Sequence, residues 1–506
     1  MSLPLPRALT PLFVFLSLIG LSFILRLFLI SQGPYHVDCL NIAIKAQETF
    51  ETGRLSYALG FGYPVVVIAG ALLVGIFNGC GIHDPVIAVN FLSVVFGSVA
   101  VGMLYLLAKR LLSPEAALFG AVLFSTSPIF LATSVYGMNH GPAVCFLLTS
   151  LYFIVRYFKS GRASDFLWSG FFLACMGASR IQDMVLVIPA IGVLFLTQGN
   201  LAWTKRFVLL FEFLTVTTAV LLILHIPYLN AGHTAGYTAQ LNDYWSLGLV
   251  KNFHGLITPF LARNMGHLLS NFTLPGLLVV AAGVLGLFQG ERKIALFLCV
   301  WFLVPFLFLG NLVMSLPRFF IVLIPAVVLC QAYALTRYSQ GARWARWGAR
   351  VIFISLIIMQ LTAVLPGLIY RHGHATIVDY ARSIQQATEP DAMIMAGDEA
   401  AFISYYTKRE ILTGPHCLFG CAKESLEAFR IVLDRTLRSG RPVYITDIGL
   451  FANNPRGEFY TFLDSGYDLQ FVGQYLFEDW HHDCFELLVW HSRLYRLTLK
   501  DGAGSL

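Results

Sequence analysis

The chain of 506 residues is 57% hydrophobic and only 12% charged, with a mean hydropathy of +0.71, whereas soluble domains carry roughly 25% charged residues. This excludes an ordinary soluble fold and implies a polytopic α-helical membrane protein, whose spans each need about 20 mainly apolar residues. The net charge of +6 is no sign of nucleic-acid binding, because the Lys and Arg residues gather at the ends of apolar runs, where they report topology.

The first apolar run, Leu12 to Ile30, has Arg7 before it, Arg26 inside it and no small-residue cleavage site. It reads as a retained helix rather than a removable signal. Just past it, in Gly33-Pro-Tyr-His-Val-Asp-Cys-Leu40, Asp38 is a lone carboxylate where the chain leaves the membrane. A charge there is either solvated or used. With Tyr35 and His36 beside it, Asp38 can act as a general base or hold an acceptor group or a metal. The alternative is the cap of a helix beginning near Leu40, a role that is compatible with the first.

A polar, helix-like stretch from Asn41 to Gly53 and the segment Gly60-Phe-Gly-Tyr-Pro64 follow, a layout closer to an active-site loop than to a plain connector. The next apolar run, Val65 to Phe77, covers only about 20 Å as a helix and is interrupted by Gly70 and Gly75. If it lies along the interface instead of crossing, then Lys109-Arg110, Arg156 to Arg162, Lys205-Arg206, Arg292-Lys293 and Arg337 to Arg350 share one side with Arg7. That is the cytoplasmic side by the positive-inside bias. The expected domains are then a membrane part, 1–370, and an extracytoplasmic α/β part, 371–506. The membrane part has about 11 transmembrane helices and a first outer loop over 32–86 with interfacial helices.

Further along, His140 closes Ser134-Val-Tyr-Gly-Met-Asn-His140 at the predicted outer ends of two spans. Its placement fits either a helix start or a cavity shared with Asp38. Arg180 and Asp183 interrupt apolar sequence in Ala178-Ser-Arg-Ile-Gln-Asp183, and intramembrane ions face a partner or a cavity. A salt bridge between them and phosphate binding by Arg180 are both consistent with that. Arg318, in Ser315-Leu-Pro-Arg-Phe-Phe320, lies on the outer side against the positive-inside trend. A guanidinium there can grip a phosphate through two parallel hydrogen bonds.

The outer segment from His225 to Asn271, with Tyr237, Trp245, Lys251, His254 and Arg263, is rich in aromatic and polar residues, as interfacial belts are. Past Tyr370 the pattern predicts helices at Ile377 to Gln386, Glu399 to Tyr406 and Glu424 to Arg438. Strands are expected at Ala392 to Ala396, Pro442 to Asp447, Leu469 to Phe477 and Phe485 to Trp490. Cys417 and Cys421 can pair if that segment faces an oxidising compartment. The cluster His481-His-Asp-Cys484 matches no zinc-ligand spacing.

Together these features resemble the GT-C superfamily of membrane glycosyltransferases, in particular its protein O-mannosyltransferase and aminoarabinose transferase-like branch. Asp38 matches by position an acidic residue of the first outer loop in that family. Thr52-Gly-Arg-Leu55 with Gly60-Phe-Gly-Tyr-Pro64 is similar to the G-R-L and P-G-Y-P stretches of bacterial members. Leu316-Pro-Arg-Phe-Phe-Ile-Val-Leu-Ile-Pro325 resembles the late pattern near the lipid phosphate. Two departures stand out: Cys39 follows Asp38 where relatives often have an Asp-Glu pair, and His140 stands where many have a second outer Asp.

The resemblance implies an inverting transfer of a sugar from a polyprenyl-phosphate donor to a protein, lipid or glycan acceptor at the extracytoplasmic face of the inner or plasma membrane. Asp38 is then the expected catalytic base, and Arg318, Arg180, His140, His36 and Tyr63 the expected substrate-binding residues. No cofactor is required by the sequence, a divalent cation being the one candidate, and no metal ligands or nucleic-acid partner are expected. The competing readings are a lipid or polysaccharide flippase and a non-catalytic envelope-assembly subunit. Against a flippase, the polar residues gather at one side, while a transporter needs a midplane site open to both.

Overall fold

A computed structural model describes residues 9–58, 62–198, 202–230, 260–312, 315–397, 399–415, 423–451, 457–480 and 486–500. The chain divides into two compact units. A membrane unit comprises Met1–Ser31 and Asn41–Gly373 with the short piece His482–Glu486, and a C-terminal unit comprises Gln32–Leu40, His374–His481 and Leu487–Leu506. Asp38 therefore belongs to the second unit although it precedes most of the first in sequence.

The described residues of the membrane unit are mainly helical. Its helices are α1 (Leu9–Phe28), α2 (Val37–Thr52) from Asn41 onward, α3 (Pro64–Gly79), α4 (Pro85–Leu111), α5 (Pro114–Thr126), α6 (Pro128–Thr133), α7 (His140–Ser160), α8 (Ala163–Ser179), α9 (Ile181–Thr197), α10 (Trp203–Asn230), α11 (Leu261–Gly290) and α12 (Arg292–Gly310). A 3-10 helix (Pro317–Leu323), α13 (Ile324–Ser339) and α14 (Arg343–Gly373) complete it. Seven stretches among the described residues are long and apolar enough to cross a bilayer: Pro85–Leu111, His140–Ser160, Trp203–Leu229, Leu261–Gly290, Arg292–Gly310, Pro317–Ser339 and Arg343–Gly373. The protein is an integral membrane protein. In lipid every backbone polar group must be satisfied within the segment, which is why the apolar runs become helices.

Local chemistry sets the boundaries. Asp84 caps α4 by accepting from Val86 N, and Ser113 caps α5 by accepting from Ala116 N; a proline at the first position follows each cap, where its missing N–H costs nothing. The apolar run over 115–134 is broken at Ser127-Pro128 into α5 and α6. The broken end is repaired by Asn271, whose Oδ1 accepts from Ile129 N at 2.8 Å. Helix α11 starts well before the apolar run at 273–289 and is kinked at Thr273 (φ 60°, ψ 162°), two residues before Pro275.

Helix α3 has 16 residues, about 24 Å at 1.5 Å per residue, short of the roughly 30 Å hydrocarbon core. Gly70 and Gly75, which look like interruptions, are contact points. A Cβ on Gly70 would lie 3.0 Å from Ala46 Cβ, and one on Gly75 would lie 2.8 Å from the Phe50 ring. The two glycines let α3 approach α2, whose Ile42, Ala43 and Ala46 are fully buried. In the interior, Pro317–Ser339 is the most enclosed stretch, while Trp203–Leu229 shows most of its side chains to the surroundings.

The C-terminal unit holds a five-stranded sheet in the order β2-β1-β3-β5-β4, with β1 (Met393–Met395), β2 (Glu410–Ile411), β3 (Val443–Thr446), β4 (Tyr467–Trp480) and β5 (Glu486–Leu499). Strands β2, β1 and β3 are parallel; β5 runs antiparallel to both β3 and β4. Its helices are α15 (Thr376–Ala387), α16 (Ala400–Thr407), α17 (Lys423–Arg438), α18 (Asp447–Phe451) and α19 (Glu458–Gly466). The strand and helix pattern predicted after Tyr370 is found, while the two-residue β2 and the short α18 and α19 carry too little periodicity to be read. The core of this unit is Met393, Met395, Leu433, Val443, Ile445, Leu463 and Leu497 with Phe429 and Phe459.

Cys417, Cys421, the cluster at 481–484, Gly60 and Phe61, and the outer segment from 231 to 259 lie outside the described residues.

Candidate functional site

Segment Ser134–His140 joins α6 to α7 and is buried throughout. Because a buried loop must satisfy its own backbone, neighbouring helices supply the partners. Asn90 Oδ1 accepts from Gly137 N at 2.7 Å and Ser93 Oγ from Met138 N at 3.1 Å, while Ser31 N donates to Val135 O at 2.9 Å.

Buried arginines collect around this segment. Arg26, fully enclosed, donates from Nε to Ser134 Oγ at 2.7 Å, from its Nη atoms to Ser125 Oγ and Ser125 O, and lies over the Phe130 ring. Arg371, in the last turn of α14, lies 5.4 Å from the Tyr136 ring centroid. Arg180 Nη1 donates to Asn139 Oδ1 at 3.3 Å, and Asn139 Nδ2 returns a bond to Ser179 O at 3.2 Å. Arg180 is the single extended residue between α8 and α9 (φ −155°, ψ 96°). The break turns its side chain inward, where Nε meets Asp183 Oδ2 at 2.8 Å.

Arg318 sits in the 3-10 helix, which packs against α6 and α7, and is 9% exposed. Phe319 is shared by the two candidate phosphate ligands: its ring centroid is 5.6 Å from the Arg318 guanidinium and 5.8 Å from that of Arg180. Of the two readings of Arg180, the salt bridge with Asp183 is present at 2.8 Å, and Arg180 and Arg318 both lie beside Phe319. His140 opens α7 one residue beyond Asn139 and is buried. On the other flank, His267 Nε2 is 3.2 Å from Ser315 O and its ring meets Phe320 edge-on at 5.6 Å, while Arg263 Nη2 donates to Leu312 O at 2.7 Å.

Tyr63 belongs to a different cluster. Its backbone is left-handed (φ 46°, ψ 50°) at the start of α3, a conformation uncommon for non-glycine residues. Just before it Gly62 lies against Tyr228, where a Cβ would lie 3.1 Å from the ring, and Tyr57 meets the Tyr228 ring at 4.8 Å. His36 and Asp38 are neighbours in the C-terminal unit. The Asp38 N–H donates to His36 Nδ1 at 3.1 Å, and that nitrogen is 3.4 Å from Asp38 Oδ2. Asp38 lies in the first turn of α2, not before it, so its charge favours the helix N-terminus through the dipole. In the same unit Tyr35 donates to His374 O.

The sequence reading passed over Arg26, Arg371, Asn139 and His267 as site residues. Arg371 carried a signal that went unread, a cation at the predicted outer end of the last apolar run, just as Arg318 begins one. His267 had none, because its contacts with Ser315 and Phe320 are made between segments far apart in the sequence. Among the described residues no three His, Cys, Asp or Glu side chains are grouped so as to hold a metal ion.

This helical membrane unit with a C-terminal α/β unit has the GT-C fold of membrane glycosyltransferases. Residues 68–229, less than half of the chain, match the family described as dolichyl-phosphate-mannose-protein mannosyltransferase. Among solved structures the chain is similar to ArnT from Cupriavidus metallidurans bound to undecaprenyl phosphate, with 13% identity, 96% of this chain and 97% of that one covered, and a TM-score of 0.62. It is also similar to the archaeal oligosaccharyltransferase AglB from Archaeoglobus fulgidus in complex with an inhibitory peptide and a dolichol-phosphate, at 13% identity, 90% and 72% coverage and a TM-score of 0.60. The mycobacterial arabinofuranosyltransferase AftD matches at 13% identity and a TM-score of 0.55, with 99% of this chain and 42% of that one covered. No curated protein matches the sequence.

Proposed function

We propose that the chain is a glycosyltransferase that moves a sugar from a polyprenyl-phosphate-linked donor to an acceptor at the extracytoplasmic face of the membrane, with inversion. The observation that carries this reading is the gathering of buried guanidinium groups, Arg180 and Arg318 about Phe319 and Arg26 and Arg371 about Ser134–His140, in a fold whose solved examples hold undecaprenyl phosphate and dolichol-phosphate. Buried cations are expensive in a membrane, and a phosphate offers them several charge-assisted bonds in return. A lipid-borne donor enters sideways from the bilayer and needs no nucleotide-binding loop.

In this reading Arg318 and Arg180 take the donor phosphate, with His140 beside them, and Tyr63 and His36 help hold donor or acceptor. Asp38 accepts the proton of the acceptor hydroxyl as its oxygen attacks the anomeric carbon from the face opposite the phosphate. The bond from that carbon to the phosphate oxygen breaks, its electron pair leaves with the polyprenyl phosphate, and the configuration inverts. Phosphate as leaving group needs the positive charge that the arginines supply. In this reading the N-terminus lies in the cytoplasm and the C-terminal unit outside, which the positive-inside bias of the cationic loops favours.

The test is binding of labelled undecaprenyl phosphate to purified protein. Arg318→Ala and Arg180→Ala are each expected to weaken it by about tenfold or more, with Arg318→Lys recovering only part, since Lys cannot form the bidentate pair. Unaltered binding by both alanine variants would remove the phosphate site from this account.

A further inference from the structure

The parallel part of the C-terminal sheet has a topological switch point. The chain passes from β1 through α16 to β2 on one side, then returns through α17 to β3 on the other side of β1. In open α/β sheets ligands bind outside the carboxyl ends of the strands at such a point. Here β1 leads to Gly397 and Glu399, and β3 leads into Thr446 and Asp447. Thr446 Oγ1 donates to Glu399 Oε1 at 2.5 Å, and Tyr380 Oη pairs with Ser492 Oγ at 2.9 Å.

Asp447 is only 3% exposed. Its Oδ2 accepts from both Arg493 N and Arg493 Nε, at 3.1 and 2.9 Å, while its buried Oδ1 has no hydrogen-bond partner among the described residues. Such an orphaned acceptor is costly and marks where a donor belongs. Next to it the surface is open and aromatic. Phe451 (41% exposed) and Tyr460 (38% exposed) stack at 5.6 Å with ring planes 28° apart. Half of the Arg493 side chain is exposed, its guanidinium lying 5.8 Å from the Tyr495 ring centroid. Asp447, chiefly by its hydrogen bond, holds the Arg493 pKa above its ordinary value, and Tyr495 and Tyr460 are near enough to add to this.

We infer that Asp447, Arg493 and the Phe451–Tyr460 pair form a saccharide-binding subsite, taking a neutral, hydroxyl-rich sugar unit of the acceptor. The charges select against anions: Asp447 already neutralises Arg493 and Glu399 is close by, so a phosphate or carboxylate finds no net attraction. A sugar hydroxyl suits both groups, donating to the carboxylate and accepting from the remaining guanidinium N–H groups. The apolar face of a pyranose covers an exposed ring at little cost in ordering, because the aromatic pair is already fixed by its own stacking.

The role as acceptor subsite rests on the transferase reading above, but the binding does not, so the experiment reads binding alone. Saturation-transfer difference NMR on the intact protein in detergent, without any donor lipid, would use mannotriose, maltotriose and cellotriose as probes. At least one is expected to give signals from its ring protons, with affinity falling about tenfold in Asp447→Asn, Tyr460→Ala and Arg493→Gln. Tyr460 and Arg493 are surface residues, so their variants keep the test meaningful if Asp447→Asn fails to fold. Absence of signal from all three saccharides, or wild-type affinity in both Tyr460→Ala and Arg493→Gln, would overturn the subsite. Wild-type saccharide binding by an Arg318→Ala protein that no longer binds undecaprenyl phosphate is the expected sign that the two sites are separate.

Discussion

Arg26 Nε donates to Ser134 Oγ at 2.7 Å, tying the first membrane helix to the buried connection on which the other arginines converge. All the hydrogen-bond partners of the Arg26 guanidinium among the described residues are serine hydroxyls and carbonyls, those of Ser22, Ser125 and Ser134. Gly97 makes room for this pair, since a Cβ there would lie 3.0 Å from Arg26 Nε and 2.5 Å from Ser134 Cβ. Arg26→Ala leaves a cavity and orphans several hydroxyls, and is expected to cost about 2–4 kcal/mol. Arg26→Lys should recover little, because an ammonium cannot reach the same partners as the planar fork. Thermal unfolding of the purified variants checks this; melting temperatures matching wild type would show that the network is not what holds the connection.

Helices α11 and α13 meet at Gly283, where a Cβ would come within 2.0 Å of Cys330 O. No rotamer change can relieve a clash with backbone, so the helices would have to separate. Gly283→Ala is expected to lower stability by about 3 kcal/mol or more. Gly266 of α11 has nothing within 4 Å, and Gly266→Ala should be neutral or stabilising by up to about 1 kcal/mol. Detergent-solubilised yield and melting temperature of the two variants distinguish a packing requirement from a general intolerance of alanine in this helix.

Cys80, exposed just after α3, reports whether α3 crosses the membrane. In a variant whose only cysteine is Cys80, a membrane-impermeant maleimide should label intact cells, as it should a second cysteine-free variant carrying His491→Cys on the C-terminal unit. Labelling of Cys80 only after permeabilisation, with His491→Cys labelled before it, would mean that α3 spans and that the proposed outer grouping is wrong.

In the C-terminal unit Tyr444 Oη donates to Glu389 Oε2 at 2.6 Å. That bond, with Arg496 contributing less, holds the Glu389 carboxyl below its ordinary value, while burial first and the bond second push Tyr444 up to about 12. A lowered carboxyl pKa stabilises the fold above the unfolded value of about 4.3, and that contribution is lost as pH falls through the lowered one. A raised phenol pKa stabilises below about 10, and the benefit disappears as pH rises through the raised value. Stability of this unit should therefore be level between these limits and fall on both sides, with Tyr444→Phe flattening both falls. Melting temperature measured from pH 3 to 11 checks it; an unchanged profile in Tyr444→Phe would contradict it.

Much of this architecture was legible in the sequence because it follows from periodicity and charge. The apolar runs fixed the membrane helices, and the alternating and helical stretches after Tyr370 marked most of the α/β unit. Arg180 and Arg318 were visible as ions against the positive-inside trend. What could not be read are the relations made by folding. Nothing local says that Arg26 reaches Ser134, that Arg180 and Arg318 share the Phe319 ring, or that Gly70 and Gly75 are contact points rather than breaks. Nor does local pattern assign Asp38 to the C-terminal unit, since its neighbours in sequence are membrane helices.

The most direct measurement of the central claim is release of polyprenyl phosphate from a radiolabelled polyprenyl-phosphate sugar by the purified protein with membrane extract as acceptor source. The account predicts turnover by the wild type, loss of at least about a hundredfold in Asp38→Asn, and retained binding of undecaprenyl phosphate by that variant. Release by Asp38→Asn at the wild-type rate would contradict the assignment of Asp38 as base, and no release by wild-type protein from any polyprenyl-phosphate sugar would contradict the transferase itself.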